Sequence, residues 1–168
     1  MVEQYGVVDH KTIEYEGLLD IKEFYKSIDE WFAQQGYDKV EKMTSESVTE
    51  EGKHIELDIA PILGFTDYAQ SLMDIKLIFD GVKEVEIEVD GEKRRMSQCK
   101  AIIIIDAFLQ TDYEGRWEEK PAMMIIRTFF DKFFLRSETG KYKKHIADDV
   151  NRFATFVTTF LNLYKYKK

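Results

Sequence analysis

Cysteine, proline and long apolar runs are all scarce in this chain of 168 residues. The single cysteine, Cys99, cannot form an internal disulfide, and the two prolines leave no proline-rich linker at which the chain could be divided. No apolar run approaches the roughly 20 residues of a membrane span, and no signal-peptide pattern opens the sequence. We therefore predict one domain over residues 1–168 of a cytoplasmic protein without a transmembrane segment.

Positive charge is also scarce, except near the C-terminus. The formal net charge is −8, yet residues 141–168 carry seven Lys or Arg against two Asp, which leaves −13 on the rest of the chain. Binding to a phosphate backbone needs clustered positive charge on the protein. We therefore do not expect the body of the domain to bind nucleic acid.

Sequence motifs for catalysis and for cofactors are missing. The chain has no phosphate-binding glycine-rich loop, no GxSxG, no HExxH and no paired-cysteine spacing. Its three histidines, His10, His54 and His145, are far apart in sequence and have no cysteine partners at ligand spacing. We therefore predict no cofactor, no metal site and no catalytic residue that a motif identifies.

The sequence does contain one strongly apolar stretch, Cys99–Tyr113. Its odd positions up to Leu109 are all apolar, and its even positions are apolar in the middle. β-Branched residues at this density favour a strand over a helix, and two apolar faces favour a central strand. We expect the sheet to be organised around this strand, in which Cys99 is a small core residue rather than a nucleophile.

The remaining patterns predict an α+β domain. Asp20 is placed as the N-cap of a helix that ends at Gly36, and alternating strands follow it. Two amphipathic stretches close the chain, from Ala122 to Leu135 and from Ile146 onward, with a link at residues 137–141. The predicted fold is an antiparallel, mostly meander sheet with one N-terminal helix and two C-terminal helices packed on it.

Two Asp-Gly pairs, which end at Gly81 and Gly91, predict two hairpin turns within this meander. A two-residue loop at Gly81 would set apolar faces against charged ones, because a slip of one residue inverts a strand. Three-residue loops avoid this conflict. The resulting register places two pairs of opposite charges together, Lys76 with Glu84 and Glu86 with Arg94.

This order of strand, helix, antiparallel meander and C-terminal helix resembles the START-like helix-grip superfamily, whose curved sheet closes around a long last helix. The resemblance covers most of the chain and rests on element order, without a sequence motif. The chain differs in having one helix after the first strand instead of two, and two helices at the end. The resemblance implies a cavity for a hydrophobic ligand between the sheet and the last helix, and some members of that superfamily are enzymes.

The candidate ligand-binding residues are Asp106, within the central strand, and Tyr113, Arg116 and Trp117 in the segment 111–121 that follows it. A carboxyl group between apolar neighbours is a candidate acid or base, because burial disfavours its charged form. The segment combines charged groups that could orient a ligand with flat aromatic rings. The alternative is structural: Asp106 lies near an exposed strand end or accepts a backbone hydrogen bond, and residues 111–121 form a bend before a helix.

The last helix is predicted to have a neutral outer face. Opposite its apolar stripe stand five uncharged polar residues: Asn151, Thr155, Thr158, Thr159 and Asn162. Threonine is a poor helix former, so its use at positions that tolerate Glu or Lys favours a contact there. With Met124 and Leu135 on the neighbouring helix, we expect a homodimer or another protein to bind through Thr155, Thr158 and Asn162. A polar, solvated helix face is the alternative.

Three classes of function remain open on the sequence alone. The first is a non-enzymatic domain that binds an apolar small molecule or a lipid in a cavity between sheet and helix. The second is a protein-interaction or self-assembling domain that uses the outer faces of the C-terminal helices. The third is an enzyme in which Asp106 and residues 111–121 converge. An enclosed cavity near or above roughly 300 Å³ would favour ligand binding, and a packed core would favour interaction.

Overall fold

The computed structural model of the protein describes residues 2–111 and 135–165, and only the backbone of residues 135–137. This part of the chain forms β1 (Glu3–Leu19), α1 (Ile21–Gln34), β2 (Asp38–Thr49), β3 (Gly52–Gly64), β4 (Ala69–Val89), β5 (Glu92–Thr111) and α2 (Leu135–Lys165). The predicted α+β class is therefore confirmed. The first predicted C-terminal helix falls largely on residues 122–134, outside the described ranges. The predicted link at residues 137–141 is wrong, because α2 runs through it.

The five strands form one antiparallel sheet in the order β1-β5-β4-β3-β2. β5 lies between β1 and β4, as its apolar sequence predicts. Its odd-numbered side chains from Cys99 to Leu109 are all buried on one face. Burial raises the pKa of the Cys99 thiol to about 11, so this side chain is protonated at neutral pH and acts as a core residue.

One face of the sheet carries both helices. The fully buried side chains there include Met73, Ile75, Leu77, Phe79, Ile103 and Ile105 from the sheet, Phe24, Ile28 and Phe32 from α1, and Ile146, Val150, Phe153 and Val157 from α2. Aromatic rings fill the space between the helices, with ring centroids 4.8 Å apart for Phe32 and Phe153. Burial of each large apolar side chain stabilises the fold by about 1.5–3 kcal/mol. This inner face is the core of the domain.

Local sequence sets both ends of α1. The Asp20 carboxylate accepts a hydrogen bond from the Glu23 backbone N–H at 3.0 Å, which satisfies a donor that the first helical turn leaves unpaired. Gly36 ends the helix with φ of +81°, a left-handed conformation that glycine adopts without steric cost. Neither α1 nor α2, the helices in the described ranges, combines the length and hydropathy needed to cross a bilayer.

β1 and β2 are the two edges of the sheet, and each has a bulged register. The shifts lie next to His10 in β1 and between Glu41 and Met43 in β2. Most of β2 is exposed, whereas α2 lies along β1, where the Lys11 amine donates to the Asn151 side-chain oxygen at 2.7 Å. The helices therefore cover the β1 side of the sheet more closely than the far end of β2.

The predicted turn at Gly81 is wrong, because β4 continues through it as one strand of 21 residues. Gly81 has φ of +60° and sits in a bulge, where the pairing with β5 shifts between Asp80 and Lys83. The extra residue is accommodated without ending the strand. Val82 is buried and Val85 packs against the core, so apolar side chains beyond the bulge still reach the core.

The hairpin at Gly91 exists, but its loop has two residues rather than three. Val89 pairs directly with Glu92, and Asp90 and Gly91 have φ of +53° and +80°. Positive φ at both loop residues is typical of the type I′ turn, whose twist matches that of the strands. The charge pairs predicted from three-residue loops are therefore wrong in detail. Glu86 lies opposite Arg95 rather than Arg94, and the other pair is also rearranged, since the Lys76 amine contacts Glu56 at 3.1 Å.

Candidate functional site

Asp106 points away from the helices, on the outer face of the sheet. Its neighbours in β5, Ile105 and Ala107, are fully buried on the inner face, while the Asp106 side chain remains 20% exposed. Its carboxylate accepts a hydrogen bond from the His10 backbone N–H at 2.7 Å. The structural interpretation of Asp106 predicted a hydrogen bond to neighbouring backbone, and this contact is such a hydrogen bond.

The bulge in β1 brings His10 to Asp106. Val8 pairs with Ala107 and Lys11 with Ile105, so Asp9 and His10 together lie opposite Asp106 alone. His10 has φ of +48°, a left-handed conformation that is uncommon outside glycine. The one extra residue of chain length lets the His10 backbone and ring turn toward the same carboxylate.

One imidazole nitrogen and two carboxylate oxygens meet at this bulge. We call their residues, Asp9, His10 and Asp106, the bulge cluster. His10 Nδ1 lies 2.6 Å from Asp106 Oδ1 and 3.0 Å from Asp9 Oδ1. The hydrogen bond to Asp106, together with the negative charges of Asp106 and Asp9, raises the pKa of His10. The His10 and Asp9 side chains are 75% and 98% exposed, so the cluster is open to solvent.

A further carboxylate stands directly across the sheet from the bulge cluster. Asp74 of β4 pairs in register with Asp106, and like charges at opposite positions repel. The Lys42 amine of β2 offsets this repulsion by contacting Asp74 Oδ2 at 2.9 Å. The charge of Lys76 also acts on Asp74, so this level of the outer face combines three carboxylates with two lysines and one histidine.

The other candidate residues, Tyr113, Arg116 and Trp117, lie outside the described residues. Their convergence with Asp106 stays a prediction. Asp106 itself does not lie between the sheet and the helices, because it occupies the opposite face. Asp106 is therefore separated from the space between the sheet and the described helices α1 and α2, and its part in binding a ligand stays a prediction.

A cleft of about 240 Å³ opens on the helix side of the sheet, where the tip of the β4–β5 hairpin reaches the end of α2. We call it the Tyr164 cleft. Its apolar lining comes from Leu18, Ile87, Val89, Met96 and the ring of Tyr164, and its polar lining from Asp20, Glu23, Arg94 and Arg95.

A second cleft, of about 420 Å³, adjoins the first and shares Asp20, Arg95 and Met96 with it. We call it the Lys53 cleft. Ile21, Ile55 and Val82 form its apolar part, and Lys22, Lys53, Glu46 and Glu84 lie around it. Together the two clefts surround the start of α1, where the chain leaves β1.

Tyr164 joins the two helices at the wall of the first cleft. Its hydroxyl donates a hydrogen bond to Glu23, so the last turn of α2 is held to the first turn of α1. Burial, followed by the hydrogen bond and charge of Glu23, raises the pKa of Tyr164. The tyrosine is therefore neutral at physiological pH and can keep donating this hydrogen bond.

The two arginines of the Tyr164 cleft are loosely held. The guanidinium of Arg94 lies 3.9 Å from Glu92, and that of Arg95 lies 4.0 Å from Glu86. Both side chains are more than half exposed, and exposed ion pairs at such distances contribute little. The guanidinium groups can therefore turn toward an anion in the cleft without giving up a strong partner.

A buried carboxylate, Asp149 of α2, lies within the core, where its side chain is 2% exposed. Tyr37 donates to it at 2.7 Å, His145 lies 3.2 Å away, and Arg152 pairs with its other oxygen. Burial is the largest cause of the raised pKa of Tyr37. Because these partners satisfy the carboxylate, the group ties the start of β2 to α2 and serves the fold.

Sequence reasoning identified Asp106 but missed its partner His10. The two residues are 96 positions apart, and no local pattern in β1 marks the bulge that joins them. The spacing of His145, Asp149 and Arg152 on one helix is a signal that could have indicated the Asp149 group. No family model matches the chain, and no curated protein and no solved structure matches it significantly.

Proposed function

We propose that the domain is a non-enzymatic binding module that holds a small amphipathic molecule or a lipid in the Tyr164 and Lys53 clefts. The observation that carries this proposal is that two clefts, of about 240 and 420 Å³, adjoin through Asp20, Arg95 and Met96. Pockets for small molecules usually measure about 300–1,000 Å³ and combine apolar walls with a few polar groups. The joined clefts meet both conditions.

The lining indicates the chemistry of the ligand. Ile87, Val89 and Met96 present aliphatic surface that suits an acyl chain or a ring. Arg94 and Arg95 at the rim suit a carboxylate or phosphate, because a guanidinium group can donate two parallel hydrogen bonds to such a group. An apolar molecule with one acidic head group fits both parts of the site.

The location of the clefts supports the same proposal. The Tyr164 cleft lies between the sheet and the C-terminal end of the long helix α2, in the region where the helix-grip resemblance implies a hydrophobic ligand, and the Lys53 cleft adjoins it. The described core between helices and sheet is filled by side chains such as Phe24, Phe32 and Phe153. The ligand would therefore enter from the end of the sandwich rather than occupy its centre. A single buried, unpaired Cys99 suits the cytosol as the working compartment.

Filling the cleft tests this proposal. Native mass spectrometry of the purified protein should show a co-purified small molecule, and dodecanoate should shift backbone amide NMR signals of Leu18, Ile87 and Met96. Val89→Trp should weaken these shifts, because Val89 lines the Tyr164 cleft and the larger indole side chain would fill part of it. Val48→Trp is the matched control, since Val48 is 80% exposed and lines neither cleft. Equal dodecanoate shifts in both variants would overturn the proposed site.

A second function, self-association through α2, is favoured by one observation. The neutral face of this helix is exposed at Thr155, Thr158, Thr159 and Asn162, and the neighbouring Leu163 is 59% exposed. Exposed apolar area next to uncharged polar groups is typical of protein interfaces. We therefore propose a homodimer contact through this face as the alternative to a purely ligand-binding role.

Light scattering tests the homodimer. Thr158→Arg would place a charge within the contact and should shift the protein from dimer to monomer without lowering the stability of the monomer. Glu30→Arg introduces the same side chain on the exposed surface of α1 and should leave the dimer intact. A monomeric unmutated protein at high concentration would exclude self-association and leave only a different protein as partner.

A further inference from the structure

The bulge cluster brings one imidazole nitrogen and two carboxylate oxygens to a common point. His10 Nδ1, Asp9 Oδ1 and Asp106 Oδ1 all lie within 4.8 Å of one another. Two of the separations, 2.6 and 3.0 Å, are hydrogen-bond distances, and neighbouring ligands about 2.1 Å from one tetrahedral ion would be roughly 3.4 Å apart. An ion at this point would replace the shared proton, and His10 Nδ1 would move away from each oxygen by less than about 1 Å, which the exposed His10 and Asp9 side chains permit. We propose that Asp9, His10 and Asp106 bind a divalent transition-metal ion of the Zn²⁺ or Mn²⁺ class.

The donor set decides which ions fit. Imidazole suits zinc and its transition-metal neighbours, whereas carboxylates alone would equally suit calcium or magnesium. The proposed site supplies three protein ligands, and the exposure of His10 and Asp9 leaves room for water to complete the coordination shell. Binding therefore takes place in an open site, at lower affinity than in a closed structural zinc site.

The carboxylates around the other two histidines are arranged differently from those around His10. His54 contacts Asp80 through Nδ1 and Glu56 through Nε2, so its two carboxylates lie on opposite sides of the ring. At His145 the carboxylate of Asp149 already has Tyr37 and Arg152 as partners. In the described part of the chain, His10 is the histidine at which two carboxylates converge on one ring nitrogen.

A third carboxylate pairs in register with one of the three proposed ligands. Asp74 faces Asp106 across the β4–β5 pairing, and its charge is offset by Lys42. A bound divalent ion would reduce the repulsion between Asp74 and Asp106, because its two positive charges lie on the Asp106 side. Since Asp9 and His10 belong to β1 and Asp106 to β5, the ion would also fasten an edge strand to the centre of the sheet.

Isothermal titration of the metal-free protein with ZnCl₂ tests the site. We expect one Zn²⁺ per chain, and at least about tenfold weaker binding in His10→Asn, a variant that keeps a residue tolerant of the left-handed backbone. Asp9→Asn removes a ligand from a side chain that is 98% exposed and should weaken binding without affecting the fold. His54→Ala is the matched control, which should bind as the unmutated protein does.

A second readout separates this site from adventitious zinc. Zn²⁺ should raise the melting temperature of the unmutated protein, because a ligand of the folded state stabilises it, and this rise should disappear in His10→Asn and Asp9→Asn. No heat of binding at millimolar Zn²⁺ would overturn the proposal. Unchanged affinity in Asp9→Asn would overturn it as well, even if His10→Asn failed to fold.

Discussion

The two faces of the sheet differ in the interactions that their side chains make. On the inner face, Ile75, Leu77, Ile103 and Ile105 are fully buried and contact the helices through apolar surface. On the outer face, half-buried apolar side chains alternate with charged partners such as Lys42 with Asp74. Stability should therefore depend on volume on the inner face and on charge on the outer face. Three substitutions test this contrast, from the largest expected effect to the smallest.

The largest effect is expected for Ile105→Ala on the inner face. Ile105 is fully buried, so its truncation should lower the free energy of unfolding by about 2–5 kcal/mol through lost burial and the cavity left behind. Ile104→Ala removes the same atoms from the half-buried outer face and should cost about 1–2 kcal/mol. Urea unfolding of both variants measures the difference. A loss below about 1 kcal/mol for Ile105→Ala would mean that the inner face is not the core.

A smaller effect is expected for a substitution at Gly52, where the start of β3 lies against the bulge in β4. Gly52 has φ of +135°, and a Cβ there would lie 2.8 Å from the Val82 carbonyl oxygen in the β4 bulge. Gly52→Ala should therefore destabilise the protein by about 1–3 kcal/mol through strain and crowding. Gly64→Ala is the control, because a Cβ there has no atom within 4 Å. Equal melting temperatures for the two variants would show that the bulge does not need Gly52.

The smallest effect concerns pH and the outer face. The hydrogen bond to Asp80 has the largest effect on the pKa of His54, and it raises this pKa. Desolvation comes next and lowers it, and the negative charge of Asp80 raises it again. A pKa raised above the unfolded value of about 6.5 means that this stabilisation is complete below pH 6.5 and is lost as the pH rises through the folded-state pKa. NMR titration of the ring should show the raised pKa, and Asp80→Asn should lower it. Identical titration curves for the unmutated protein and Asp80→Asn would show that Asp80 does not raise the pKa of His54.

Patterns along the chain were enough to predict which residues form the inner face, but not the contacts on the outer face. Alternation in β5 predicted its central position, and Asp20 predicted the start of α1, because both depend on residues close in sequence. The turn at Gly81 was predicted incorrectly, since a glycine after aspartate suits a bulge as well as a hairpin loop. The contact of His10 with Asp106 could not be predicted, because it depends on strand order and on a bulge between distant segments.

The bulges in both edge strands have a consequence for how the protein behaves at high concentration. An edge strand presents unpaired backbone groups on which a strand of another molecule can add, and this is a common start of aggregation. In β2 the irregularity between Glu41 and Met43 lies at Lys42, near Lys39, and in β1 it lies at Asp9 and His10. A second molecule would have to match both the break in register and the charges. The bulges and charges at both edges therefore oppose growth of the described five-stranded sheet by strands of another molecule.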